Sequence, residues 1–208
     1  QGEWPLWNRF AASGAPLLGQ GQAMFGDPLH LPVVLSGSAA WAWDLKYLLA
    51  KWLFAAGLGA AVWLVTRHLG AALGVTLAAP FIGFFGVRIN HPAFFSLCSA
   101  PWILVAWLRI TGAANWRGAA WGAAGLMLAN WCVMHSGTAK EAYMLLLGLN
   151  FAGGLTLLTV RPWRVQLARW AMAVWAGVLF AGDLIFWHLS ILKTSVANAT
   201  FLSTTAPV

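Results

Sequence analysis

From Trp41 onward, apolar residues come in long blocks rather than in stripes. Six blocks can be marked, at about 45–66, 69–87, 93–108, 118–134, 142–160 and 165–188. Polar breaks separate them: Arg67-His68, then Arg88-Ile89-Asn90-His91-Pro92, then Arg109 with the stretch Thr111 to Arg117, then His135 to Glu141, then Arg161-Pro162-Trp163-Arg164. A bilayer crossing needs about 20 mostly apolar residues, whereas barrel strands are about 10 residues long and alternate. The blocks do not alternate, so they predict helices. Gly70-x-x-x-Gly74 and Gly118-x-x-x-Gly122 have the spacing that lets helix backbones approach closely, a spacing that also arises by chance in glycine-rich spans. Residues 1–40 differ. They hold Pro5, Pro16, Pro28 and Pro32 and no run of membrane length. The pattern predicts an all-α fold: a polytopic transmembrane helix bundle of about six spans over 41–191. Before it comes a loop with short interfacial helices (1–40), and after it a tail or the start of a further loop (192–208).

Composition agrees. The 208 residues are 61% hydrophobic and 8% charged, against about 25% charged in soluble domains. Seventeen charges (12 basic, 5 acidic) cannot clothe a water-facing surface, and disorder requires low hydrophobicity. The net charge of +7 comes from basic residues scattered singly, which excludes a nucleic-acid stripe. Fifteen Trp suit the membrane–water interface. Cys98 and Cys132 lie in apolar runs and read as small hydrophobes. Phosphate-loop, nucleophile-elbow, His-Glu-x-x-His and Cys-x-x-Cys motifs are absent.

Charge orients the bundle modestly. Arg67, Arg109, Arg117, Arg161, Arg164 and Arg169 fall on one side, and Arg9, Arg88, Lys140 and Lys193 on the other; Lys46 and Lys51, at the start of the first span, would even the count if placed with the second group. Basic residues favour the cytoplasm, and residues 1–40 carry Arg9 against Glu3 and Asp27. Both ends of the chain are therefore expected outside. Glu3, Asp27, His30, Arg88, Asn90, His91, His135, Lys140, Glu141, Asp183 and His188 then collect at the outer face. So does Asp44, which completes the acidic residues. Asp183 lies about one turn inside the sixth span, where an ionisable group is costly and marks a candidate site; an ion pair with Lys46 or Lys51 would account for it equally. His30, His91, His135 and His188 come from separate loops, so a metal or haem site would have to be assembled from all of them, and interface histidines explain them as well.

The N-terminal segment resembles a known family. Glu3-Trp4-Pro5-Leu6-Trp7-Asn8-Arg9-Phe10, Ser13-Gly14-Ala15-Pro16-Leu17-Leu18, Gln22-Ala23-Met24-Phe25 and Asp27-Pro28-Leu29 are similar, in order and nearly all spacing, to the first outer loop of YfhO-type bacterial membrane proteins. These belong to the GT-C class of polytopic glycosyltransferases. His135-Ser136-Gly137-Thr138-Ala139-Lys140-Glu141-Ala142-Tyr143 is loosely similar to a short loop before a later span of that family. Arg9 stands where the family has Pro, and Gly26-Asp27 where an aromatic is usual.

The resemblance implies a GT-C-like bundle in the bacterial cytoplasmic (inner) membrane. It further implies extracytoplasmic transfer of a sugar from a polyprenyl-phosphate donor, with a divalent metal as an optional cofactor. It places the catalytic Asp upstream of Gln1, so that the chain is expected to be an internal portion of a longer protein. Such chemistry needs a carboxylate to accept the acceptor's proton and cations to hold the leaving phosphate. Arg88 and Lys140 are the phosphate candidates. Glu3, Trp7, Asn8, Gln22, Asp27, His91, His135 and Glu141 are the acceptor or loop candidates. The alternative is a non-catalytic transmembrane subunit packed in a larger membrane assembly. A transporter is disfavoured because the two halves show no inverted-repeat symmetry.

Overall fold

The computed structural model describes residues 7–8, 15–16, 24, 26–87, 91, 93–137, 139–160, 163–175 and 177–178. Two short strands, β1 (Trp7–Asn8) and β2 (Ala15–Pro16), pair antiparallel with Trp7 opposite Pro16. All other regular structure among the described residues is helical. A 3-10 turn (Pro28–His30) leads into α1 (Leu31–Leu35). Then come α2 (Ala40–Thr66), α3 (Leu69–Ala78), α4 (Gly83–Val87), α5 (Ala93–Ser99), α6 (Pro101–Gly112), α7 (Trp116–His135), α8 (Ala139–Thr156) and α9 (163–175).

Each apolar block is helical where it is described, but the ends move. The first helix starts at Ala40 rather than 45, because Gly37 and Ser38 adopt left-handed backbone and stop α1 just before it. The second block is not one helix. Pro80 has no N–H to donate, and α3 gives way to a 3-10 turn (Ala79–Phe81) before α4. The third block continues past Arg109 to Gly112, since a cation in a last helical turn complements the helix dipole. Asn115 then caps α7, its side-chain oxygen accepting from Gly118 N–H at 2.9 Å. Of the sixth block, the residues past 178 lie outside the described residues, as does the 192–208 tail.

Three helical stretches are long and apolar enough to cross a membrane: Ala40–Thr66, Ala93–Gly112 and Glu141–Thr159. The middle one is the axis of the fold, with 72% of its apolar window buried, against 28% and 22% in the other two. α2 lies alongside it, with the Trp102 indole N–H donating to Leu53 O at 2.9 Å. The outward face of α2 carries Trp41, Leu45, Leu48, Leu49 and Trp52, all exposed large apolar side chains. An aqueous surface would not tolerate that face, and a lipid one requires it.

Small residues set the closest approaches, at positions partly different from those the spacing marks. A Cβ on Gly122 would lie 2.8 Å from Ile110 Cγ1 and 3.0 Å from Ile110 N, so α7 rides directly on the α6 backbone there. Gly74 meets nothing, and the α2–α3 contact uses Gly59 instead, against Thr76 and Ala72. Gly153 of α8 is covered by the Trp107 ring.

The interior also contains polar groups. The Trp107 indole N–H donates to Asn150 Oδ1 at 3.0 Å, and Asn150 Nδ2 donates to Asn130 Oδ1 at 3.1 Å, tying α6, α8 and α7 together. Thr111 and Thr156 share a 2.7 Å hydroxyl contact. Arg169 is buried, and its guanidinium donates to Thr111 O and Ala113 O. It thereby satisfies carbonyls at the end of α6 that have no partner within the helix.

Gly122→Ala should lower stability by about 1–3 kcal/mol through forced separation of α6 and α7. Gly125→Ala, where a Cβ meets only Ala106 at 4.0 Å, should leave the thermal unfolding midpoint in detergent unchanged. Equal midpoints for the two variants would refute the close approach.

Candidate functional site

The helix directions put the described carboxylates at one end of the bundle, together with Lys46, Lys51 and Lys140, and several arginines at the other. Arg67, Arg109 and Arg117 sit at one end, at the close of α2, the close of α6 and the start of α7. The described carboxylates, Asp27, Asp44 and Glu141, sit at the other, near the starts of α2 and α8. The segment 24–30 lies over this second end.

Lys46 holds that segment. It stands in the second turn of α2, with its side chain 0% exposed, and its ammonium lies 2.6 Å from Asp27 Oδ2; the Asp27 side chain is 4% exposed. The same ammonium reaches Met24 Sδ at 3.1 Å and His30 Nδ1 at 3.2 Å, and sits 4.3 Å above the Phe95 ring. The local chain is shaped for this. Met24 takes left-handed backbone (φ 50°) and accepts from Asp27 N–H at 3.1 Å. Asp27 then caps the 3-10 turn, with Oδ1 accepting from Leu29 N–H at 3.0 Å. One carboxylate thus ties off the turn with one oxygen and neutralises Lys46 with the other. Beneath the pair lie Tyr47, Phe54, Phe85, Phe94 and Phe95, in ring contacts between 4.8 and 5.3 Å.

A second attachment comes from α7. The Trp131 indole N–H donates to Gly26 O at 2.9 Å. The His135 ring stacks on Trp131 with centroids 3.9 Å apart, and its Nδ1 contacts Trp131 O at 2.9 Å. Gly26 lies flat against His135, where a Cβ would come within 2.7 Å of the ring. The segment is therefore clamped between α2 and the end of α7, beside the turn that opens α8.

The residues singled out in the sequence divide accordingly. Asp27 and His135 come together through Gly26. Glu141 lies in the first turn of α8 at the same end, half-buried, and Lys140 precedes it. His91 is used locally, its Nδ1 accepting from Ala93 N–H at 3.2 Å at the start of α5. Trp7 and Asn8 form β1. Glu3, Gln22, Arg88 and Asp183 lie outside the described residues. Lys46, an alternative partner for Asp183 on sequence grounds, pairs with Asp27. Among the described residues, no three His, Cys, Asp or Glu side chains gather as a metal site. Sequence reasoning missed Lys46 and Trp131 as the fastening residues. The available signal was a lysine early in an apolar span, where a charge must find a partner.

His30 titrates below its ordinary value. Burial is the main cause and the Lys46 ammonium adds to it, while Asp27 opposes both. Neutral His30 accepts from Lys46, whereas a protonated ring would set two cations 3.2 Å apart.

No protein-family model, curated protein or solved structure matches the chain.

Asp27→Asn should cost about 3–5 kcal/mol, because it leaves the Lys46 charge buried and unpaired. Adding Lys46→Met should recover most of the loss, and unfolding in detergent reads both variants. A protonated His30 is disfavoured in the fold, so the unfolded chain binds more protons there and stability rises with pH. The wild type should lose stability as pH falls below about 6.5, the usual histidine value. His30→Asn should flatten that slope, and an identical pH profile in the variant would exclude His30 as its source.

Proposed function

We propose that the chain forms a GT-C-like bundle of about six spans in a bacterial inner membrane, with its loop end extracytoplasmic, acting in sugar transfer from a polyprenyl-phosphate donor. The observation that supports this reading most is the meeting of the two segments that carry the family resemblance. Gly26, between the Gln22–Phe25 and Asp27–Leu29 stretches, lies against His135, the first residue of the second segment. They are separate in sequence, and the second alone is only a loose similarity.

In this reading the acceptor hydroxyl attacks the anomeric carbon of the donor sugar. The bond from that carbon to the phosphate oxygen breaks, and polyprenyl phosphate leaves with the electron pair. A carboxylate takes the hydroxyl proton. Lys140 and Arg88 neutralise the phosphate as its charge grows, and Glu141 orients the acceptor. Asp27 is not the base, because both its oxygens are committed to the fold. Its part is to hold the segment over the site. A divalent metal would supply further neutralisation of the donor phosphate, though among the described residues no three His, Cys, Asp or Glu side chains gather to hold one.

That same commitment of Asp27 favours a second reading, a non-catalytic subunit of a larger membrane assembly. Vesicles carrying the full chain and a radiolabelled polyprenyl-phosphate sugar separate the two. Transfer out of the lipid fraction, reduced about a hundredfold or more by Lys140→Ala with unfolding unchanged, supports the enzyme. Transfer unaffected by both Lys140→Ala and Arg88→Ala removes these residues from the site. Absence of transfer, with stable co-purification of a partner, supports the subunit.

A further inference from the structure

A groove of about 490 Å³ runs along the bundle between α2, α5–α6 and α7. Leu53, Trp102, Ala106, Gly125 and Leu128 make it apolar, and Arg109 lines its end. Gly125 supplies the open space, since a Cβ there meets nothing nearer than Ala106 at 4.0 Å. Trp102 is a fixed wall, held by its hydrogen bond to Leu53 O. Two of the three stretches able to cross a membrane, Ala40–Thr66 and Ala93–Gly112, form its sides. It is open at the surface of the bundle, where the lining residues Trp121 and Leu128 are exposed.

We propose that this groove is a binding site for one anionic glycerophospholipid, with an acyl chain in the groove and the phosphate on Arg109. The length fits. From Ser99 to Arg109 the helix rises about 15 Å, half of a hydrocarbon core of about 30 Å, which is the depth of one leaflet. A long polyprenyl chain exceeds it. The charge fits as well. Arg109 is exposed, and among the described residues it has no ion-pair partner. Arg117 lies at the same end, and the described carboxylates all lie at the opposite end. Trp121, 79% exposed on the rim, stands where an indole meets the headgroup layer. The site is distinct from the loop end and does not depend on sugar transfer.

The full chain, reconstituted in equal phosphatidylglycerol and phosphatidylcholine and then extracted in mild detergent, tests this by native mass spectrometry. The wild type should retain one phosphatidylglycerol. Arg109→Ala should lower the preference for phosphatidylglycerol over phosphatidylcholine about fivefold. Gly125→Leu should remove bound lipid of both kinds without lowering the unfolding midpoint, because its side chain enters open space. Equal retention of the two lipids by the wild type would overturn the proposal. So would wild-type retention of phosphatidylglycerol by a folded Gly125→Leu, or its displacement by equimolar polyprenyl phosphate.

Discussion

The ammonium of Lys46 has to be neutralised inside an otherwise apolar bundle, and the arrangement of the loop end follows from that. A lysine in the second turn of a membrane-length helix can reach upward to water, or it can be paired where it stands. Here it is paired, with its side chain wholly buried. Asp27 supplies the charge, Met24 and His30 supply further acceptors, and Phe95 supplies a ring face. Each of these residues except Phe95 belongs to the loop segment, so neutralising one charge fixes the path of the chain over the bundle. The left-handed backbone at Met24, which costs roughly 1 kcal/mol or more, is tolerated because it turns the chain into that arrangement. Once placed, the segment presents Gly26 to Trp131 and His135, and the α7–α8 turn is held beside it.

The same rule operates deeper in the bundle with uncharged groups. Asn130, Asn150 and the Trp107 indole satisfy one another across three helices, and Arg169 satisfies carbonyls at the close of α6. Polar groups that cannot reach water act as fasteners between helices. Apolar packing between such helices has little preference over contact with lipid, so these few polar contacts and the close approach at Gly122 determine which helix sits next to which.

The loop end and the arginine end thereby acquire different characters. At the loop end, carboxylates, histidines and an aromatic cluster surround a clamped segment. At the other end, arginines stand at helix termini beside an apolar groove, an arrangement suited to a phospholipid. Asp27, the carboxylate most visible in the loop motif, has both oxygens committed to holding the segment in place.

That the blocks are helical where described was legible from the apolar runs alone, because block length and lack of alternation depend only on local composition. That the described carboxylates share one end, opposite Arg67, Arg109 and Arg117, followed by counting helices. The break at Pro80 went unread in the block pattern, which marks 69–87 as one span, although a missing N–H is a property of the residue itself. What Lys46 pairs with could not be read this way. A partner in a loop nineteen residues earlier (46 minus 27) is set by how the segment folds back over α2, and Asp183 was an equally acceptable partner on paper. Glycine spacing was a partial guide for a related reason: Gly122 of the second motif makes a close contact, but Gly74 of the first meets nothing and Gly59, in neither motif, packs against Thr76 and Ala72, since close approach depends on where a neighbouring backbone passes. Arg169 looked like a topological marker, and only the packing of α9 against α6 turned it inward. Local chemistry determined the elements and their ends. The tertiary structure decided the partners, because pairing a buried polar group is a contact between parts of the chain that sequence distance does not order.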